Sequence, residues 1–482
     1  MPATLFIFVA MQWELTKEEE GLMQRMGAVS QRLSLPAYVV GGFVRDKLLN
    51  RPTKDVDVVC VGDALALAEA VAQTFKPAPK VSLFKNFGTA QFKTADGLDI
   101  EFVGARKESY RLHSRKPSVE PGTLKDDQLR RDFTINALAL SLNKEDFSYL
   151  IDPFGGVDDL RQQLIRTPLE PAQTFSDDPL RMLRAVRFAA QLQFRIEPKT
   201  LRGIEAAAAR ICIISPERIA DELNKIMATT KPSVGFTLLF QTGLLRLIMP
   251  QVEALSGAEF VEGVGHKDNF HHTMQVLDGM AQRTPHLWSR WAALLHDVGK
   301  PPTKKFEGGG WTFHGHEVVG ARMVPKIFSA LRLPLGEPMK YVRKLVEMHM
   351  RPIALTKENI TDSAIRRLLV DAGEDFEALM LLCESDITSK NKRRVQRYLQ
   401  NFEAVKQRCA EVEETDRMRA WQPPVTGELI MHTFNLPPSK QVGIIKEAVR
   451  NAILDGEVPN NYDAAYKFMI SKAAQLGLKP VA

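Results

Sequence analysis

The stretch from Tyr38 to Cys60, YVVGGFVRDKLLNRPTKDVDVVC, predicts the architecture of the first part of the chain. An apolar run ends at two adjacent glycines, a short helix-like segment follows, and a proline-containing turn leads to a second apolar run. That second run carries Asp55 and Asp57, and side chains two residues apart on a strand share a face. The pattern therefore predicts strand, helix and strand, with two carboxylates side by side.

The composition is that of a globular chain with several domains. Of its 482 residues, 44% are hydrophobic and 25% are charged, which allows ordinary cores in about two to four domains. The formal net charge is +6. This mild excess of basic residues permits a nucleic-acid or polyphosphate partner but does not require one.

Cysteine spacing and hydropathy argue against several other classes of protein. The four cysteines form no CxxC pair and match no zinc-site spacing, so free thiols in a reducing compartment are expected. No apolar run reaches the roughly 18 residues of a membrane span, and the apolar start MPATLFIFVAMQ lacks the basic flank of a signal peptide. We therefore expect a cytoplasmic protein without a membrane partner. Translation could begin at Met1 or at Met11, just before the helix-like WELTKEEE.

Strand and helix signals divide the chain into four parts. Up to about residue 160, short β-rich runs such as AYVV, VDVVC, GTAQFK and LDIEFV alternate with helical segments. Beyond it, apolar residues recur at three- and four-residue spacing, as in RMLRAVRFAAQLQF and PERIADELNKIMA. Glycine and proline clusters interrupt this pattern at LPLGEP, WQPPVTG and NLPPSK. The prediction is an α+β head over 1–160, a helical neck over 161–250, a second helical module over 260–400 and a helical tail over 401–482.

The two carboxylates of the opening stretch predict metal chemistry. Neighbouring carboxylates repel unless a cation lies between them, and hard oxygen ligands suit Mg²⁺. The segment LDIEFVGAR adds Asp99 and Glu101, again two residues apart. If its strand lies beside the first, three acids can hold two Mg²⁺ ions about 4 Å apart, which would activate a hydroxyl and neutralise a leaving pyrophosphate. The alternative is a solvated acidic pair at a strand edge.

The glycine pair beside this strand predicts a phosphate contact. Gly41 and Gly42 stand between a strand and a helix start, where backbone N–H groups can approach phosphate closely. Arg45 and Lys54 could add positive charge. The alternative is an ordinary turn.

Two further segments offer polar groups to a nucleotide. In LRRDFTINALAL, Asp132 and Asn136 are four residues apart at a predicted helix start. They would share a face and could hydrogen-bond a ribose. Arg130 or Arg131 could meet a phosphate group. The alternative is a helix N-cap with a surface ion pair; the turn IDPFGG, which carries Asp152, follows.

The segment TFSDDPLRMLRAVRFAA predicts a helix that opens with two acids and continues with three arginines: Asp177, Asp178, Arg181, Arg184 and Arg187. Asp178 and Arg181 are three residues apart. A carboxylate accepts hydrogen bonds and a guanidinium donates them in a plane, so the two could present a pattern like the edge of a base. A helix-stabilising salt bridge is the alternative.

Six motifs in this order, GGFVRD, DVD, RRDFTINALA, DPFGG, DPLRMLR and SPERIADEL, resemble those of the bacterial class II tRNA nucleotidyltransferases, the CCA-adding enzymes. That family shares its head with bacterial poly(A) polymerases, and the resemblance covers about residues 38–225. It implies a polymerase-beta-like nucleotidyltransferase head followed by a helical neck. It also implies site residues: Asp55 and Asp57 as ligands of two catalytic Mg²⁺ ions with Glu101 as a third ligand, Gly41, Gly42 and Arg45 at the triphosphate, Asp132 with Asn136 at the ribose, Asp178 and Arg181 at the base of CTP or ATP, and Arg184 and Arg187 in the same nucleotide site.

Two features qualify this resemblance. The chain has Asp177 where the family usually has glutamate, which changes the capping group but leaves the residues that would recognise the base. The segment between Ala105 and Leu129 is polar and contains proline and glycine, and in the family this region helps to switch the site from C to A addition. Its basic residues could equally form a solvated loop: Arg106, Arg111, Arg115 and Lys116.

A second set of motifs, FHHTMQV, LLHDVGK, FHGHEVVGA, EMHMRP and CESDI, resembles the HD superfamily of metal-dependent phosphohydrolases. The resemblance implies ligands for a divalent metal whose identity stays open: His272, His296, Asp297 and Asp386. Lys300 could meet phosphate, and His316 with His349 could hold a second ion. Packed or exposed histidines without function are the alternative. A phosphodiesterase acting on 2′,3′-cyclic ends would fit RNA repair.

The last part of the chain carries a basic segment, SKNKRRVQRYLQ. Its cations could follow an RNA backbone or form a solvated helix face: Lys390, Lys392, Arg393, Arg394 and Arg397. WQPPVTGELIM, NLPPSKQVG and ILDGEV resemble the C-terminal end of HD-containing CCA enzymes, which extends the resemblance over most of the chain.

Together the resemblances imply a template-independent RNA polymerase that adds CMP, CMP and AMP to tRNA, with tRNA, CTP and ATP as partners. Near alternatives are a poly(A) polymerase, against which the HD module argues, and an enzyme that adds only CC or only A. A nucleotide-signalling hydrolase is an alternative from another class, although alarmone enzymes place HD first. An RNA-binding protein with an inactive head is disfavoured because unused paired acids cost electrostatic energy. The oligomeric state and the HD substrate stay open.

Overall fold

The computed structural model describes residues 15–111, 114–257, 260–261, 264–265, 268–355, 361–388, 391–416, 421 and 423–481. Several predictions fall outside the described residues or side chains: those on Met1, Met11, Arg111, Arg115, Lys116, Lys390, Lys392 and Arg394. The chain divides after Pro250 into two compact units. The predicted boundaries near residues 160 and 400 lie inside these units and stay predictions.

The first unit is built on a mixed β-sheet. Its strands are β1 (Ala37–Val40), β2 (Asp55–Cys60), β3 (Ser82–Phe84), β4 (Thr89–Lys93), β5 (Asp99–Gly104), β6 (Arg106–Arg111), β7 (Ser114–Pro121), β8 (Ala139–Ser141), β9 (Leu150–Ile151), β10 (Leu164–Ile165) and β11 (Arg195–Ile196). Seven of them form one sheet in the order β3-β4-β5-β2-β1-β8-β9. Within it β2 and β5 run parallel, while the other neighbours are antiparallel. Strands β6 and β7 form a separate hairpin, and β10 pairs with β11.

Helices pack on this sheet, and the rest of the first unit after the sheet is mainly helical. They are α1 (Lys17–Leu33), α2 (Gly42–Leu48), α3 (Ala64–Ala72), α4 (Leu124–Leu129), α5 (Gly156–Gln162), α6 (Pro171–Asp177), α7 (Leu180–Leu192), α8 (Pro198–Ala207), α9 (Pro216–Met227), α10 (Pro232–Gln241) and α11 (Leu244–Ile248). Helix α3 packs on β4 and β5, and α7 packs on α9 and α10. The predicted α+β head followed by helices is confirmed.

Strand β2 shows why its two aspartates share a face. Val56 and Val58 are buried, whereas Asp55 is exposed and Asp57 half-buried. Because successive side chains point to opposite faces, the valines enter the core and the carboxylates face away from it. Burying each valine stabilises the fold by about 1.5–3 kcal/mol, and a one-residue slip in register would bury the acids instead.

The second unit is almost entirely helical. Its helices are α12 (Pro250–Glu253), which starts at the boundary, α13 (Asn269–Arg283), α14 (Leu287–Leu295), α15 (Lys300–Thr303), α16 (His316–Ala330), α17 (Glu337–Met348), α18 (Met350–Leu355), α19 (Asp362–Ala372), α20 (Phe376–Asp386), α21 (Lys392–Asp416), α22 (Gly427–Phe434), α23 (Lys440–Leu454) and α24 (Tyr462–Gln475). Two short hairpins join β12 (Phe260–Val261) to β13 (Val264–Gly265) and β14 (Lys305–Glu307) to β15 (Gly310–Thr312). Among the described helices, none combines the length and the apolar character that crossing a membrane requires.

The helix predicted to start at residues 130–136 is absent from its place in the described structure. Helix α4 ends at Leu129, and Phe133 is extended with φ −136° and ψ 152°. Residues 134–136 form a single 3-10 turn ahead of β8. The prediction was wrong because Asp132 and Asn136 meet through a hydrogen bond across this turn rather than along a helix face.

The helix predicted to open with both Asp177 and Asp178 is also divided. Helix α6 ends at Asp177, Asp178 is extended, and Pro179 immediately precedes α7. Proline has no N–H to donate, so it is tolerated at a helix N-terminus and disfavoured inside one. The shared apolar periodicity of the two helices concealed this break.

Two candidate active sites

A cavity of about 890 Å³ in the first unit collects the predicted head residues. Its lining includes every head residue to which the resemblance gives a role: Gly41, Gly42, Arg45, Asp55, Asp57, Glu101, Asp132, Asn136, Asp178, Arg181, Arg184 and Arg187. They come from the turn after β1, from α2, from β2 and β5, from the segment after α4, from the break between α6 and α7, and from α7. Residues far apart in sequence therefore form one site.

The acids of β2 and β5 lie in register beside this cavity. Asp55 lies opposite Asp99, and Asp57 opposite Glu101, across the parallel strand pair. Burial raises the pKa of Asp57, with Arg131 opposing the rise and Asp55 adding to it. Burial and the nearby Asp57 raise the pKa of Glu101. The carboxylates are thus short of positive charge, which a bound cation would supply.

This donor set fits Mg²⁺ shared between protein and substrate. Among the described residues, some groups of three or more His, Cys or acidic side chains have ligand atoms that lie within 4.8 Å of one another. The head acids belong to none of these described groups. Mg²⁺ often takes only one or two carboxylates and completes its octahedron with water and phosphate oxygens. Asp55 and Asp57 suit that arrangement, and Glu101 as a third ligand stays a prediction. Asp99 forms an ion pair with Lys93 at 3.1 Å.

Gly41 brings the backbone close to Arg131 and Asp57. Its φ is 73°, and a Cβ there would lie 2.9 Å from Nη1 of Arg131 and 3.4 Å from Oδ2 of Asp57. The backbone conformation requires glycine, and a Cβ would also have to displace the end of the Arg131 side chain. Gly42 begins α2. Lys54 is exposed and lies outside the described lining of the cavity.

A buried carboxylate fixes two arginines of the cavity wall. Asp127 is fully buried and accepts hydrogen bonds from Arg130 and Arg131. Nη2 of Arg131 lies 3.0 Å from its Oδ2. Asp127 was not singled out in the sequence, where only its three- and four-residue distance from these arginines could have indicated it.

Asp132 connects the groups predicted to meet the ribose. Its Oδ1 accepts from Nδ2 of Asn136 at 2.9 Å, and its Oδ2 from Nε of Arg184 at 2.6 Å. Oδ1 of Asn136 accepts in turn from Nη1 of Arg45 at 2.7 Å. Burial would raise the pKa of Asp132, but chiefly Arg184 and Asn136 outweigh it and lower the pKa to about 2. The network therefore holds Arg45 and Arg184 in place with a carboxylate that is ionised at neutral pH.

Phe188 is an aromatic centre that sequence reasoning missed. Its ring lies 4.9, 5.5 and 4.2 Å from the guanidinium carbons of Arg45, Arg184 and Arg187. Nε of Arg187 lies 3.2 Å from a carboxylate oxygen of the buried Glu222. Cation–π contact lets guanidinium groups gather around one ring. The result is a cationic wall suited to a triphosphate.

The pair predicted to recognise a base has other described partners. Nη2 of Arg181 donates to the carbonyl oxygen of Arg130 at 2.5 Å. Oδ1 of Asp178 accepts from the amide of Leu180 at 3.1 Å, and Oδ2 lies 3.4 Å from Nη2 of Arg218. Arg218 also lines the cavity; it lies in the quoted motif SPERIADEL but was not singled out. These contacts hold the pair at the wall, and its role in recognition stays a prediction.

Asp152 lies outside the described cavity lining. Its carboxylate accepts from the amides of Gly156 at 2.8 Å and Val157 at 2.9 Å. These contacts support a structural role in the turn ahead of α5.

In the second unit, the predicted HD residues converge from several helix ends. They form two groups of side chains whose ligand atoms lie within 4.8 Å of one another: His272, His296 and Asp386 in one, and Asp297, His316 and His349 in the other. His296 and Asp297 come directly after α14, and His316 begins α16. One helix end thus supplies a ligand to each group.

Asp297 lies between the two groups. Its Oδ2 is 3.3 Å from Nε2 of His296 and 3.7 Å from Nε2 of His272. Its Oδ1 is 3.4 Å from Nε2 of His316 and 4.0 Å from Nε2 of His349. Asp297 could therefore contribute a carboxylate oxygen to an ion held by either group.

The imidazoles are oriented as metal ligands require. In His296, His316 and His349, Nδ1 lies 2.8, 2.9 and 2.7 Å from the carbonyl oxygen three residues earlier. Nδ1 of His272 lies 2.7 Å from Oγ1 of Thr388. Because a carbonyl oxygen only accepts, the first three imidazoles donate from Nδ1, which leaves Nε2 for a metal; the Thr388 hydroxyl can either donate to or accept from His272. Nε2 of His296 is buried without a hydrogen-bond partner in the described structure, so the residues fit a divalent ion.

The charges of this cluster lead to the same conclusion. Burial would lower the pKa of His296, but Asp297 and Asp386 outweigh it and raise the pKa to about 10. Burial lowers the pKa of His349 to about 4, which keeps it a neutral ligand. Nζ of Lys300 lies 2.6 Å from Oδ2 of Asp297. Without a metal, protonated His296 and Lys300 supply the positive charge that the buried carboxylates require. A divalent ion would take over that charge and displace the proton from Nε2 of His296.

Three protein families match parts of the chain. The Poly A polymerase head domain matches residues 37–166, the probable RNA and SrmB-binding site of polymerase A matches residues 193–255, and the HD domain matches residues 269–379. The first match contains Asp55 and Asp57, and the last contains the predicted HD ligands apart from Asp386.

Individual relatives extend the similarity over most of the chain. An A-adding tRNA nucleotidyltransferase of Deinococcus radiodurans is 33% identical over 356 residues, 71% of this chain and 78% of its own. A multifunctional CCA protein of Nitrosococcus oceani is 33% identical over 370 residues, 74% of this chain and 86% of its own. The structure of the Bacillus stearothermophilus CCA-adding enzyme in complex with CTP shares the fold, with a TM-score of 0.63, 22% identity and coverage of 96% of this chain and 99% of that one.

Proposed function

The chain belongs to the bacterial tRNA nucleotidyltransferases, and from that premise we propose that it adds CMP, CMP and AMP to the 3′ end of tRNA, using CTP and ATP and releasing pyrophosphate. One observation carries the proposal. The paired carboxylates of Asp55 and Asp57 and a cationic wall of arginines line the same cavity. Acids that bind catalytic metal and cations that bind a triphosphate are the two requirements of nucleotidyl transfer.

The head residues divide this work between them. Asp55 and Asp57, with Glu101 as a further ligand, would hold two Mg²⁺ ions, which when bound make the RNA hydroxyl more nucleophilic and neutralise the leaving pyrophosphate. The triphosphate would meet backbone N–H groups and guanidinium groups: Gly41, Gly42, Arg45, Arg184 and Arg187. The Asp132–Asn136 pair would contact the ribose.

Transfer itself needs positioning more than covalent chemistry. The terminal 3′-oxygen of the RNA forms a bond to the α-phosphorus as the bond from that phosphorus to the pyrophosphate oxygen breaks, with the two oxygens in line. The cavity's part is to hold both reactants in this geometry and to stabilise the charge that develops. Asp178 and Arg181 would select CTP or ATP by hydrogen bonds to the base edge.

The test uses a labelled tRNA transcript that lacks its 3′ CCA. It is incubated with Mg²⁺ and CTP alone, ATP alone or both, and the products are sized on a gel. We expect two additions with CTP and three with both nucleotides. Extension that stops after CC, or A added only to a tRNA ending in CC, would assign a partial reaction, as in the A-adding relatives. A long ladder with ATP alone would mean poly(A) synthesis.

The rest of the chain would serve RNA binding. We propose that the head over 1–160 performs the transfer, and that the neck over 161–250 and the tail over 401–482 hold the tRNA. The match to an RNA-binding site of polymerase A within 193–255 supports the neck assignment. Because tRNA maturation in bacteria is a cytoplasmic process, we propose that the protein works there.

We further propose that the HD module over 260–400 is a metal-dependent phosphohydrolase acting on nucleotides or RNA ends. The supporting observation is the set of four imidazoles whose Nδ1 atoms are already engaged, with Asp297 between them. A divalent ion held by these residues would activate water for attack on a phosphate ester. An RNA ending in a 2′,3′-cyclic phosphate is the first substrate to try, with Mn²⁺, Mg²⁺, Ni²⁺ or Co²⁺ added to chelator-treated protein. If no metal yields product, this second function is wrong and the head function is unaffected.

A further inference from the structure

The HD residues open into a cavity that is larger than a metal pair needs. Its volume is about 730 Å³, which is within the range of sites for whole small molecules. His272, His316 and Asp386 line one part of it. Trp311 and Phe313 line another part. The cavity thus combines a metal-binding end with an aromatic wall.

The aromatic wall belongs to the β14–β15 hairpin and the turn after it. Trp311 is half-buried, and its ring centre lies 5.3 Å from that of Phe306 in an edge-to-face contact. Nζ of Lys304 lies 4.6 Å from the centre of the Trp311 ring. A ring supported by a second ring and a cation is held in place, which is the requirement for a stacking surface.

Lys300 connects the two parts of the cavity. Its Nζ lies 2.6 Å from Oδ2 of Asp297 and 5.7 Å from the centre of the Phe313 ring. One ammonium group therefore touches both the metal-binding cluster and the wall. A phosphate at the cluster would place an attached nucleoside within reach of the rings.

We propose that Trp311 and Phe313 form a base-binding wall, so that the HD site takes nucleoside phosphates or RNA ends in preference to base-free phosphate esters. The inference rests on the proposed phosphohydrolase function of the same site. The base stacks on the wall while its phosphate lies at the metal ligands beside Lys300. Every base has a π face, so stacking of this kind tolerates different bases.

Binding is tested on the full-length protein through the emission of Trp311. The difference between wild type and Trp311→Phe isolates this indole, and the described lining of the head cavity contains no tryptophan that a nucleotide bound there would quench. With Mn²⁺ present, AMP and CMP should quench the difference signal saturably, while ribose 5-phosphate should not. Equal quenching by ribose 5-phosphate, or none by any ligand, overturns the inference.

Hydrolysis assays distinguish the contribution of the aromatic wall from that of the metal site. Trp311→Ala should lower kcat/KM for a nucleoside phosphate roughly tenfold to a hundredfold, mainly through KM, and leave a base-free ester unchanged, whereas Trp311→Phe should restore it. Phe87→Ala, which removes an exposed aromatic side chain outside the described linings of both cavities, is the matched control and should change neither. Equal losses for both substrates in Trp311→Ala mean a structural role and overturn the inference. Saturable quenching by AMP without any hydrolysis keeps the wall and rejects the phosphohydrolase function.

Discussion

The head acids and the HD cluster differ in how much of a metal's ligand shell the protein itself supplies. In the head, Asp55 is exposed and the carboxylates leave room for substrate oxygens. In the HD cluster, His296, Asp297 and His349 are at most 1% exposed, and the imidazoles are oriented by second hydrogen bonds. The first arrangement suits an ion that arrives with a nucleotide, and the second suits an ion that stays bound.

This difference bears on what burial does at a functional site. A partly exposed carboxylate pair has a smaller desolvation cost without metal than a buried cluster has, so we expect the head to take up its ions together with the nucleotide. A buried cluster of acids and imidazoles is expensive without a compensating charge. Metal binding to the HD cluster should therefore be coupled to the stability of the second unit.

The largest expected effect follows from removing a head carboxylate. Asp57→Asn should lower the rate of nucleotide addition by about a thousandfold or more, because several kcal/mol of metal-dependent stabilisation of the transition state is lost. Single-turnover extension of tRNA lacking CCA measures it. HD hydrolysis should be unchanged in the same preparation.

Asp99→Asn is the matched control for that change. Asp99 lies in register with Asp55 but forms an ion pair with Lys93, so the loss of its charge should cost less than about tenfold. Comparable losses in Asp57→Asn and Asp99→Asn would mean that general charge in the cavity matters, and that a specific pair of ligands does not.

The second expectation concerns metal retention. After dialysis against metal-free buffer, the wild type loaded with Mn²⁺ should keep metal at the HD cluster, and Asp297→Ala should keep little, because the carboxylate shared by both groups is gone. Elemental analysis measures the metal content. Asp55→Ala should keep as much as wild type, since its site depends on nucleotide.

A thermal melt tests whether metal binding to the HD cluster also stabilises the second unit. The apparent Tm of the second unit should rise with added Mn²⁺ in the wild type and in Asp55→Ala, and should rise much less in Asp297→Ala. A wild type that loses all its metal on dialysis, or the same rise in Asp297→Ala, would remove the contrast between the two sites.

The sequence predicted features that depend on neighbouring residues better than features that depend on how distant segments pack. The periodicity of VDVVC was enough to place Val56 and Asp57 on opposite faces, and the family resemblance carried by six motifs is confirmed. The contacts of Arg218 and Phe188 were not predictable, because they depend on how helices pack around the cavity. Residues 132–136 were misassigned because spacing alone does not distinguish a helix from a tight turn.

The third expectation is that the stability of the first unit depends on pH through Asp132. The pKa of Asp132 is about 2 in the fold against 3.8 as the ordinary value. A carboxylate with a lowered folded pKa stabilises the fold above its unfolded pKa, and this contribution disappears as the pH falls through the folded value. Asp132 should thus contribute about 2 kcal/mol at pH 5 that is lost between about pH 4 and pH 2.

Urea unfolding of the first unit at several pH values measures this contribution. Asp132→Asn should show a shallower fall in the free energy of unfolding between about pH 4 and pH 2 than the wild type. Asp158→Asn, which removes an exposed acid paired with Arg161 at 3.1 Å, is the matched control and should follow the wild type. Parallel pH profiles for Asp132→Asn and the wild type would show that the buried network does not depend on this charge.

The smallest expected effect tests whether the head cavity, like the HD cluster, orients its functional groups through secondary contacts. Arg218 lies 3.4 Å from Oδ2 of Asp178, and both side chains are partly exposed. Arg218→Ala frees this oxygen, so Asp178 can rotate and should present its acceptor less consistently to a base. Because exposed ion pairs are weak, the preference for CTP over UTP should fall only about two- to fivefold.

Selectivity is measured as the ratio of kcat/KM for single additions to tRNA lacking CCA, with CTP and with UTP. Arg218→Lys should recover only part of the preference, since lysine supplies a charge without a planar pair of donors. Arg202→Ala removes an exposed arginine of α8 that is outside the described cavity lining, so it should keep the wild-type ratio. An unchanged ratio in Arg218→Ala would mean that the amide of Leu180 alone fixes Asp178. In that case the head would orient its base-recognising acid through the backbone, as the HD cluster orients most of its imidazoles.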